Sequence, residues 1–179
     1  RGCAEEKIDF RGILYPGIML VKNGGASVHA SRIEARVLEF NARFGDPETQ
    51  VYLTRLENDL VELLDASVNG TLDKIELKWK PASSVCVVMA SVGYPGNHEK
   101  GKPISGLDDA AKLPGVKVFH AGTALKENQI VTNGGRVLGV TALGKDLKTA
   151  QAAAYDAVEK IHFDGAHFRR DIAAKGMRS

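Results

Sequence analysis

Glu39 and Asn41 stand two residues apart in a segment whose neighbours favour a β-strand. Because side chains alternate between the faces of a strand, both would point to one side, with Phe40 directed to the other. Carboxylate and amide oxygens are hard donors, and Mg²⁺ is commonly held by one or two carboxylates together with substrate phosphates. The pair is therefore a candidate site for a metal that bridges nucleotide phosphates. Taken alone, the same pattern also fits the polar face of an exposed hairpin.

Arg43 follows this strand. Its planar guanidinium can bind a phosphate or a carboxylate through two parallel hydrogen bonds, although an isolated arginine here also fits an exposed loop. Asp46 precedes Pro47, and we interpret Asp46 as the N-cap of a helix that has Pro47 at its first position. The free N–H groups of such a helix start are an anion site in principle.

Two predicted strands would position these side chains. Leu14–Val21 is apolar, and Pro16 and Gly17 inside it favour an edge position or a bulge. Val37–Asn41 follows, so an antiparallel hairpin is the simplest arrangement. The connection, roughly Asn23–Arg36, is long for a hairpin turn and can prolong both strands.

A single helix is predicted after Asp46, because leucines recur at helical spacing and form one apolar stripe. Asn69 and Gly70 end it, and a domain boundary is expected at residues 70–74, where the pattern changes from helical to extended. The stripe consists of Leu53, Leu56, Leu60, Leu63 and Leu64.

The second half of the chain is predicted to be an α+β domain. It combines an apolar strand at Val85–Val92, a short helix at Leu107–Leu113 and a final amphipathic helix at Asp146–Ile161. Between the helices, Asn133-Gly134-Gly135 separates Gln129–Thr132 from Arg136–Thr141, and this predicts a hairpin because Asn-Gly is typical of tight turns.

Three single residues of this half are given structural interpretations. Trp79 is interpreted as a core or domain-interface anchor. Arg136 is assigned first to the hairpin, with a substrate contact as the alternative. His120 is assigned to a packed or capped position, with a place in the cleft between domains as the alternative.

Composition and charge are those of an ordinary globular protein. Hydrophobic residues make up 44% and charged residues 26% of the 179 residues, and the net charge is only +2, so nothing favours nucleic acid as a partner. No stretch approaches the roughly 20 apolar residues that cross a bilayer, and no signal-peptide pattern opens the chain. Cys3 and Cys86 lack metal-ligand spacing and are expected to stay thiols. These features predict a cytoplasmic protein with no membrane partner.

The run from Arg43 to Gln50, preceded by Glu39-Phe40-Asn41, resembles the signature of the glycinamide ribonucleotide synthetase family, ATP-grasp ligases of purine biosynthesis. Several long motifs in the family's order are far more specific than any one of them. The further motifs are Gly12-Ile13-Leu14-Tyr15, Gly17-Ile18-Met19, Gly93-Tyr94-Pro95-Gly96, Lys117-Val118-Phe119-His120-Ala121-Gly122-Thr123 and Val131-Thr132-Asn133-Gly134-Gly135-Arg136-Val137-Leu138.

The resemblance implies a reaction. Glycine and 5-phosphoribosylamine are joined while ATP is cleaved to ADP and phosphate, through a glycyl phosphate, to give glycinamide ribonucleotide. By this analogy Glu39 and Asn41 hold the Mg²⁺ or Mn²⁺ that bridges the ATP phosphates. Arg43 is then a clamp on the γ-phosphate or the acyl phosphate.

The resemblance also implies a fragment. Residues 1–70 would be the C-terminal part of an ATP-grasp catalytic domain, with antiparallel strands plus a helix, and residues 71–179 the family's small α+β C-terminal domain. The chain begins with Arg1 and enters structure almost at once, so the N-terminal part of the same enzyme, with most of the ATP site, is expected upstream. The connection at Asn23–Arg36 is longer than the resemblance leads us to expect. The chain alone is predicted to be inactive.

Two alternatives remain open at this point. Another ATP-grasp ligase would keep an acidic metal site but should lack the run from Arg43 to Gln50. A truncated, non-catalytic module that folds without turnover is the other.

Overall fold

The computed structural model describes residues 2–24 and 31–177 and divides the chain into two compact units. The first unit takes Arg1–Gly45 and Asn58–Glu76, and the second takes Asp46–Glu57 and Leu77–Ser179. Both helices and antiparallel strands are present, so the predicted α+β class is confirmed. Among the described residues, no helix has the length and apolar character needed to cross a membrane.

A long antiparallel hairpin dominates the first unit. Strand β1, Tyr15–Gly24, pairs with strand β2, Ser31–Asn41, and the register shifts between Gly17 and Ile18. The hairpin and the irregularity next to Pro16 were both expected, and both are confirmed. Strand β2 begins earlier than predicted, so much of the connection is strand, while residues 25–30 lie outside the described part of the chain.

Large apolar side chains of this hairpin are exposed along both strands. Phe40 is 65% exposed and Leu20 is 70% exposed. A two-stranded hairpin is at best marginally stable in water without packing partners. The other exposed members are Ile18, Met19, Ile33, Val37 and Leu38.

The single helix predicted after Asp46 is wrong, because the structure has two helices there. Helix α1, Gly2–Glu5, opens the chain, helix α2 spans Glu48–Arg55, and helix α3 spans Leu60–Asn69. Asp59 starts α3 by accepting hydrogen bonds from Val61 N at 2.7 Å and Glu62 N at 3.4 Å. This capping competes with a continuous helix.

The predicted leucine stripe is divided by this break. Leu56 ends α2 in an extended conformation and forms a β-bridge with Trp79, while Leu63 of α3 is buried. Leu53 and Leu64 are partly exposed. Gly70 ends α3 in the left-handed conformation, φ 68°, as expected of a glycine after a helix.

A three-stranded antiparallel sheet forms the centre of the second unit. Its order is β3, Ser83–Ala90, then β7, Arg136–Gly144, then β4, Val116–His120. Helix α5, Leu147–Val158, packs on this sheet with Ala150, Ala154 and Val158 almost fully buried, which confirms the predicted helix face. The short helix α4 is Leu107–Ala111, and short 3₁₀ turns lie at Leu72–Lys74 and Ala174–Met177.

The predicted hairpin around Asn133 is wrong. Strand β6, Gln129–Thr132, pairs with β5, Thr123–Lys126, and not with β7. The turn between β5 and β6 has Glu127 at φ 49° and Asn128 at φ 62°, the two positive φ values that a tight type I′ turn requires. The two strands predicted around Asn133 exist, but they belong to different sheets.

Trp79 and His120 both lie at the surface of the second unit. Trp79 is 44% exposed, and the Arg55 guanidinium carbon lies 6.0 Å from its ring centroid, so Trp79 is no core anchor of this unit. His120 Nδ1 makes a hydrogen bond of 3.0 Å with Thr123 Oγ1.

Candidate functional site

Glu39 and Asn41 lie side by side at the end of strand β2. Gly17 pairs with Glu39 and Tyr15 with Asn41, so the bulge falls just before this pair and leaves its alternation intact. Asn41 Nδ2 donates a hydrogen bond of 3.1 Å to Glu39 Oε1. The structure therefore brings together the two residues that the sequence predicted as ligands.

Gly17 provides room for the Glu39 side chain. A Cβ built on Gly17 would lie 3.1 Å from Glu39 Cγ, which is tighter than ordinary van der Waals contact. Because Gly17 lies opposite Glu39 and has no side chain, it leaves the space on β1 that the Glu39 side chain occupies.

The donor set of this pair suits Mg²⁺ or Mn²⁺. Glu39 is exposed and Asn41 half-buried, and the Glu39 carboxylate accepts the hydrogen bond from Asn41. A carboxylate and an amide carbonyl are two of the oxygen ligands that such ions accept, and substrate phosphates commonly complete the shell. No cluster of three or more His, Cys, Asp or Glu that could bind a metal occurs in residues 2–24 and 31–177. The pair could thus hold a metal only together with oxygens from another molecule or chain segment.

Arg43 is exposed just beyond β2. Its Nη1 donates to Phe44 O at 2.9 Å, a local contact that leaves other edges of the guanidinium accessible. Its assignment as a phosphate clamp stays a prediction.

Asp46 does not cap helix α2, and this corrects the sequence interpretation. The residue at the cap position is Pro47, and no side chain accepts a hydrogen bond there. Asp46 Oδ1 instead accepts from Gln50 Nε2 at 3.2 Å, and Oδ2 accepts from Arg136 Nη1 at 3.1 Å. The Asp46 carbonyl also accepts from Arg136 Nη1, at 2.8 Å.

Arg136 connects Asp46 to Tyr94. Its Nε donates to the Tyr94 hydroxyl at 2.8 Å, and its guanidinium carbon lies 5.8 Å from the Tyr94 ring centroid. The pKa of Arg136 is raised above its ordinary value, first by the hydrogen bond to Tyr94 and also by Asp46. The Tyr94 ring lies so close to Gly135 that any Cβ there would overlap it. Arg136 is thus fixed by its contacts with Asp46 and Tyr94 rather than by a turn.

A cavity of about 380 Å³ lies beside this network in the second unit. Arg136, Tyr94, His167 and Arg169 line it with polar side chains, and Cys86 contributes a buried thiol. Burial raises the pKa of Cys86, so the thiol stays protonated at neutral pH. The apolar lining of the cavity consists of Pro47, Val88, Ala90, Phe168 and Ile172.

The sequence reasoning missed this network, although its three members lie in three of the quoted motifs. Asp46 belongs to the run from Arg43 to Gln50, Tyr94 to the turn cluster at Gly93, and Arg136 to the run that starts at Val131. An arginine, a tyrosine and an aspartate in separate motifs were the available signal. No local sequence pattern could show that residues of these three motifs contact each other in the fold.

Two family models match the chain. Residues 1–49 match the description "Phosphoribosylglycinamide synthetase, ATP-grasp (A) domain", and residues 84–175 match "Phosphoribosylglycinamide synthetase, C domain". The predicted domain boundary near residue 70 falls between the two matches and stays a prediction.

Two similar proteins are named as phosphoribosylamine–glycine ligases. The chain is 51% identical over 175 residues to a phosphoribosylamine–glycine ligase of Synechocystis sp., covering 97% of the chain and 39% of that relative. It is 48% identical over 180 residues to a chloroplastic phosphoribosylamine–glycine ligase of Arabidopsis thaliana, covering 99% of the chain and 32% of that relative. The chain thus spans about two fifths of the relatives' length or less.

A crystal structure of phosphoribosylamine–glycine ligase from Thermotoga maritima is similar in fold. The TM-score is 0.74 at 36% sequence identity, over 95% of this chain and 39% of that one. At this identity the likeness extends to sequence as well as to fold.

Proposed function

Because the chain belongs to the phosphoribosylglycinamide synthetase family, we propose that it forms one edge of an ATP-dependent ligase that joins glycine to 5-phosphoribosylamine. The products are glycinamide ribonucleotide, ADP and phosphate. The observation that carries the proposal is the adjacent pair at the end of β2, where Asn41 Nδ2 lies 3.1 Å from Glu39 Oε1.

The reaction has two chemical steps. A glycine carboxylate oxygen attacks the γ-phosphorus of ATP, the bond to the β-phosphate oxygen breaks, and ADP leaves. The amine of 5-phosphoribosylamine then attacks the glycyl carbonyl carbon, a C–N bond forms, the C–O bond to phosphate breaks, and the nitrogen loses a proton. Such transfers depend mainly on positioning and on offsetting charge.

Glu39 and Asn41 would hold Mg²⁺ or Mn²⁺ in this proposal. The ion supplies charge neutralisation on the ATP phosphates. Glu39 contributes the negative charge and Asn41 a neutral oxygen. Gly17 on the opposite strand leaves room for the Glu39 side chain.

Arg43 would bind the transferred phosphoryl group. Its exposure supports this role, because within the described part of the chain its guanidinium makes a local hydrogen bond, to Phe44 O at 2.9 Å. A guanidinium offers paired N–H donors that match phosphate oxygens.

The proposal also covers the cellular location of the chain and its partners. The chain would act in the cytoplasm, together with the rest of the ligase and without nucleic acid or membrane partners. Two observations support this view: Cys3 and Cys86 are both free thiols, and the net charge is only +2.

A chimera tests the proposed function. This chain replaces the matching 175 residues of the Synechocystis relative, and the product is assayed with glycine, phosphoribosylamine and Mg·ATP for glycinamide ribonucleotide. Turnover within about tenfold of the unmodified relative is expected. A folded chimera that binds ATP but forms no product would favour the non-catalytic module, and product formation with a different amine would favour another ATP-grasp ligase.

A further inference from the structure

The cavity beside Arg136 presents hydrogen-bond donors and no carboxylate among the described residues that line it. Arg136, Tyr94, His167 and Arg169 all line it, and each carries a group that can donate. A concave site with this lining favours an anion over a cation or a neutral amide.

Two of these donors are oriented by contacts on their other edges. Arg136 uses Nε for Tyr94 at 2.8 Å and Nη1 for Asp46 at 3.1 Å, so its Nη2 has no hydrogen-bond partner within the described residues. Because the Tyr94 oxygen accepts from Arg136, the phenolic hydrogen remains available to a ligand. Both groups are fixed before a ligand arrives, which lowers the entropy lost on binding.

Arg169 is the second cationic side chain of the cavity, and a contact with a neighbouring carboxylate orients it too. Its Nε and Nη2 bind Asp171 at 2.9 Å and 2.7 Å, and its Nη1 has no partner among residues 2–24 and 31–177. The bidentate contact raises the pKa of Arg169, so this guanidinium stays charged. Two guanidinium groups with free edges match the several oxygens and the double charge of a phosphate monoester.

The apolar part of the lining limits the kind of molecule to which the bound phosphate can be attached. Val88, Ala90, Phe168 and Ile172 provide carbon surface, which suits the C–H face of a sugar better than a second charged group. A volume of about 380 Å³ is at the low end of ligand sites, so a compact body is favoured.

We propose that this cavity binds the phosphate group of a phosphorylated sugar, with Arg136, Arg169 and the Tyr94 hydroxyl as donors. The proposal rests on the proposed function, in which the amine substrate is itself a sugar phosphate. It adds a binding role for residues of the second unit, none of which belongs to the metal pair.

The test uses the 179-residue chain, without ATP or metal. Ribose 5-phosphate is titrated and backbone amide shifts are followed by NMR. Saturable shifts are expected at Val88, Ala90 and Ile172, and inorganic phosphate should shift the same amides more weakly. Ribose and adenosine, which lack phosphate, should leave them unchanged.

Three variants separate binding from folding. Arg136→Gln and Arg169→Gln should each weaken ribose 5-phosphate binding about tenfold or more, because each removes a charged hydrogen bond. Arg169→Gln leaves the contacts of Tyr94 and Asp46 in place, so it reports on binding even where Arg136→Gln loosens the fold. Lys117→Gln removes the same charge from an exposed position of strand β4, outside the cavity, and should leave affinity unchanged.

The outcomes distinguish the two proposals. Unchanged affinity in Arg169→Gln, adenosine binding as tight as that of ribose 5-phosphate, or no localised shift at millimolar ribose 5-phosphate would each overturn the cavity assignment. An active chimera alongside such a result would leave the ligase proposal standing. An inactive chimera together with specific ribose 5-phosphate binding would support the cavity assignment and contradict the ligase proposal.

Discussion

At the scale of single residues, Glu39 carries the one negative charge of the proposed metal pair, and Asn41 adds a neutral oxygen. Their contact is local, and alternation along the strand was enough to anticipate it. The partners of Asp46 were not foreseeable, because Arg136 lies 90 residues away in the chain. An aspartate before a proline fits a helix cap, and only the folded chain reveals a competing cation.

The metal pair leads to the first prediction. In the chimera, Glu39→Gln keeps the shape but removes the charge that offsets the ion, so the Mg²⁺ midpoint should rise at least tenfold. Asn41→Leu should act similarly. The effect of the double variant should be well below the sum of the two single effects, since both residues bind one ion. Activity is measured against Mg²⁺ concentration.

Glu34→Gln is the matched control for this experiment. Glu34 is another carboxylate of β2, and it pairs with Arg36 at 3.4 Å. Its removal should leave the Mg²⁺ midpoint unchanged. A wild-type midpoint in Glu39→Gln would refute the ligand assignment.

At the scale of elements, helix α5 is the part of the fold most fully specified by local sequence. Its apolar positions recur every three to four residues, and Asp146 caps it through Thr149 N at 2.7 Å. Strands β6 and β7 were located correctly but paired wrongly. Asn-Gly favours a turn, yet Gly134 packs against Gly122 backbone and Gly135 against Tyr94, and these long-range contacts decide the path.

Burial on α5 gives the second prediction. Ala154 is 0% exposed, so Ala154→Leu should destabilise the fold by about 1–3 kcal/mol through overpacking. Ala152 lies on the exposed side of the same helix, and Ala152→Leu should change stability by less than about 0.5 kcal/mol. Urea unfolding followed by circular dichroism measures both. Equal effects would mean that the helix face is misassigned.

The cap of α5 gives the third prediction, which concerns pH. Hydrogen bonds from the backbone N–H and then the hydroxyl of Thr149 lower the pKa of Asp146 below its ordinary value. Its stabilising contribution is therefore complete above the unfolded pKa of about 3.9 and is lost as pH falls through the lower folded value. Asp146→Asn keeps a capping side chain but cannot titrate. The variant should lose less stability than wild type between about pH 5 and pH 2 in urea titrations, and an identical loss would contradict the assignment.

At the scale of the whole molecule, the chain has the composition of a globular protein but leaves an apolar hairpin uncovered in the first unit. Side chains such as Leu20, 70% exposed, are of a type that normally packs. Sequence alternation could place these residues on strands, but it could not indicate that the described residues of this unit leave them exposed.

The fourth prediction is that the chain alone has no measurable ligase activity. It spans 39% of the Synechocystis relative, so most of the sequence of that ligase has no counterpart in this chain. A steady-state assay with glycine, phosphoribosylamine and Mg·ATP provides the measurement, with the chimera as positive control. Turnover by the isolated chain at ordinary enzyme rates, roughly 1 to 10³ per second, would contradict this expectation.

Because the two units alternate along the chain, recombination between genes can separate residues that contact each other. The chain changes unit after Gly45, after Glu57 and after Glu76. A single recombination breakpoint near residue 77 would transfer Tyr94 and Arg136 to a new host gene while leaving behind Asp46, which binds Arg136 at 3.1 Å. The second unit therefore cannot be transferred intact by one breakpoint, and substitutions at Asp46 and Arg136 are expected to be correlated among related sequences.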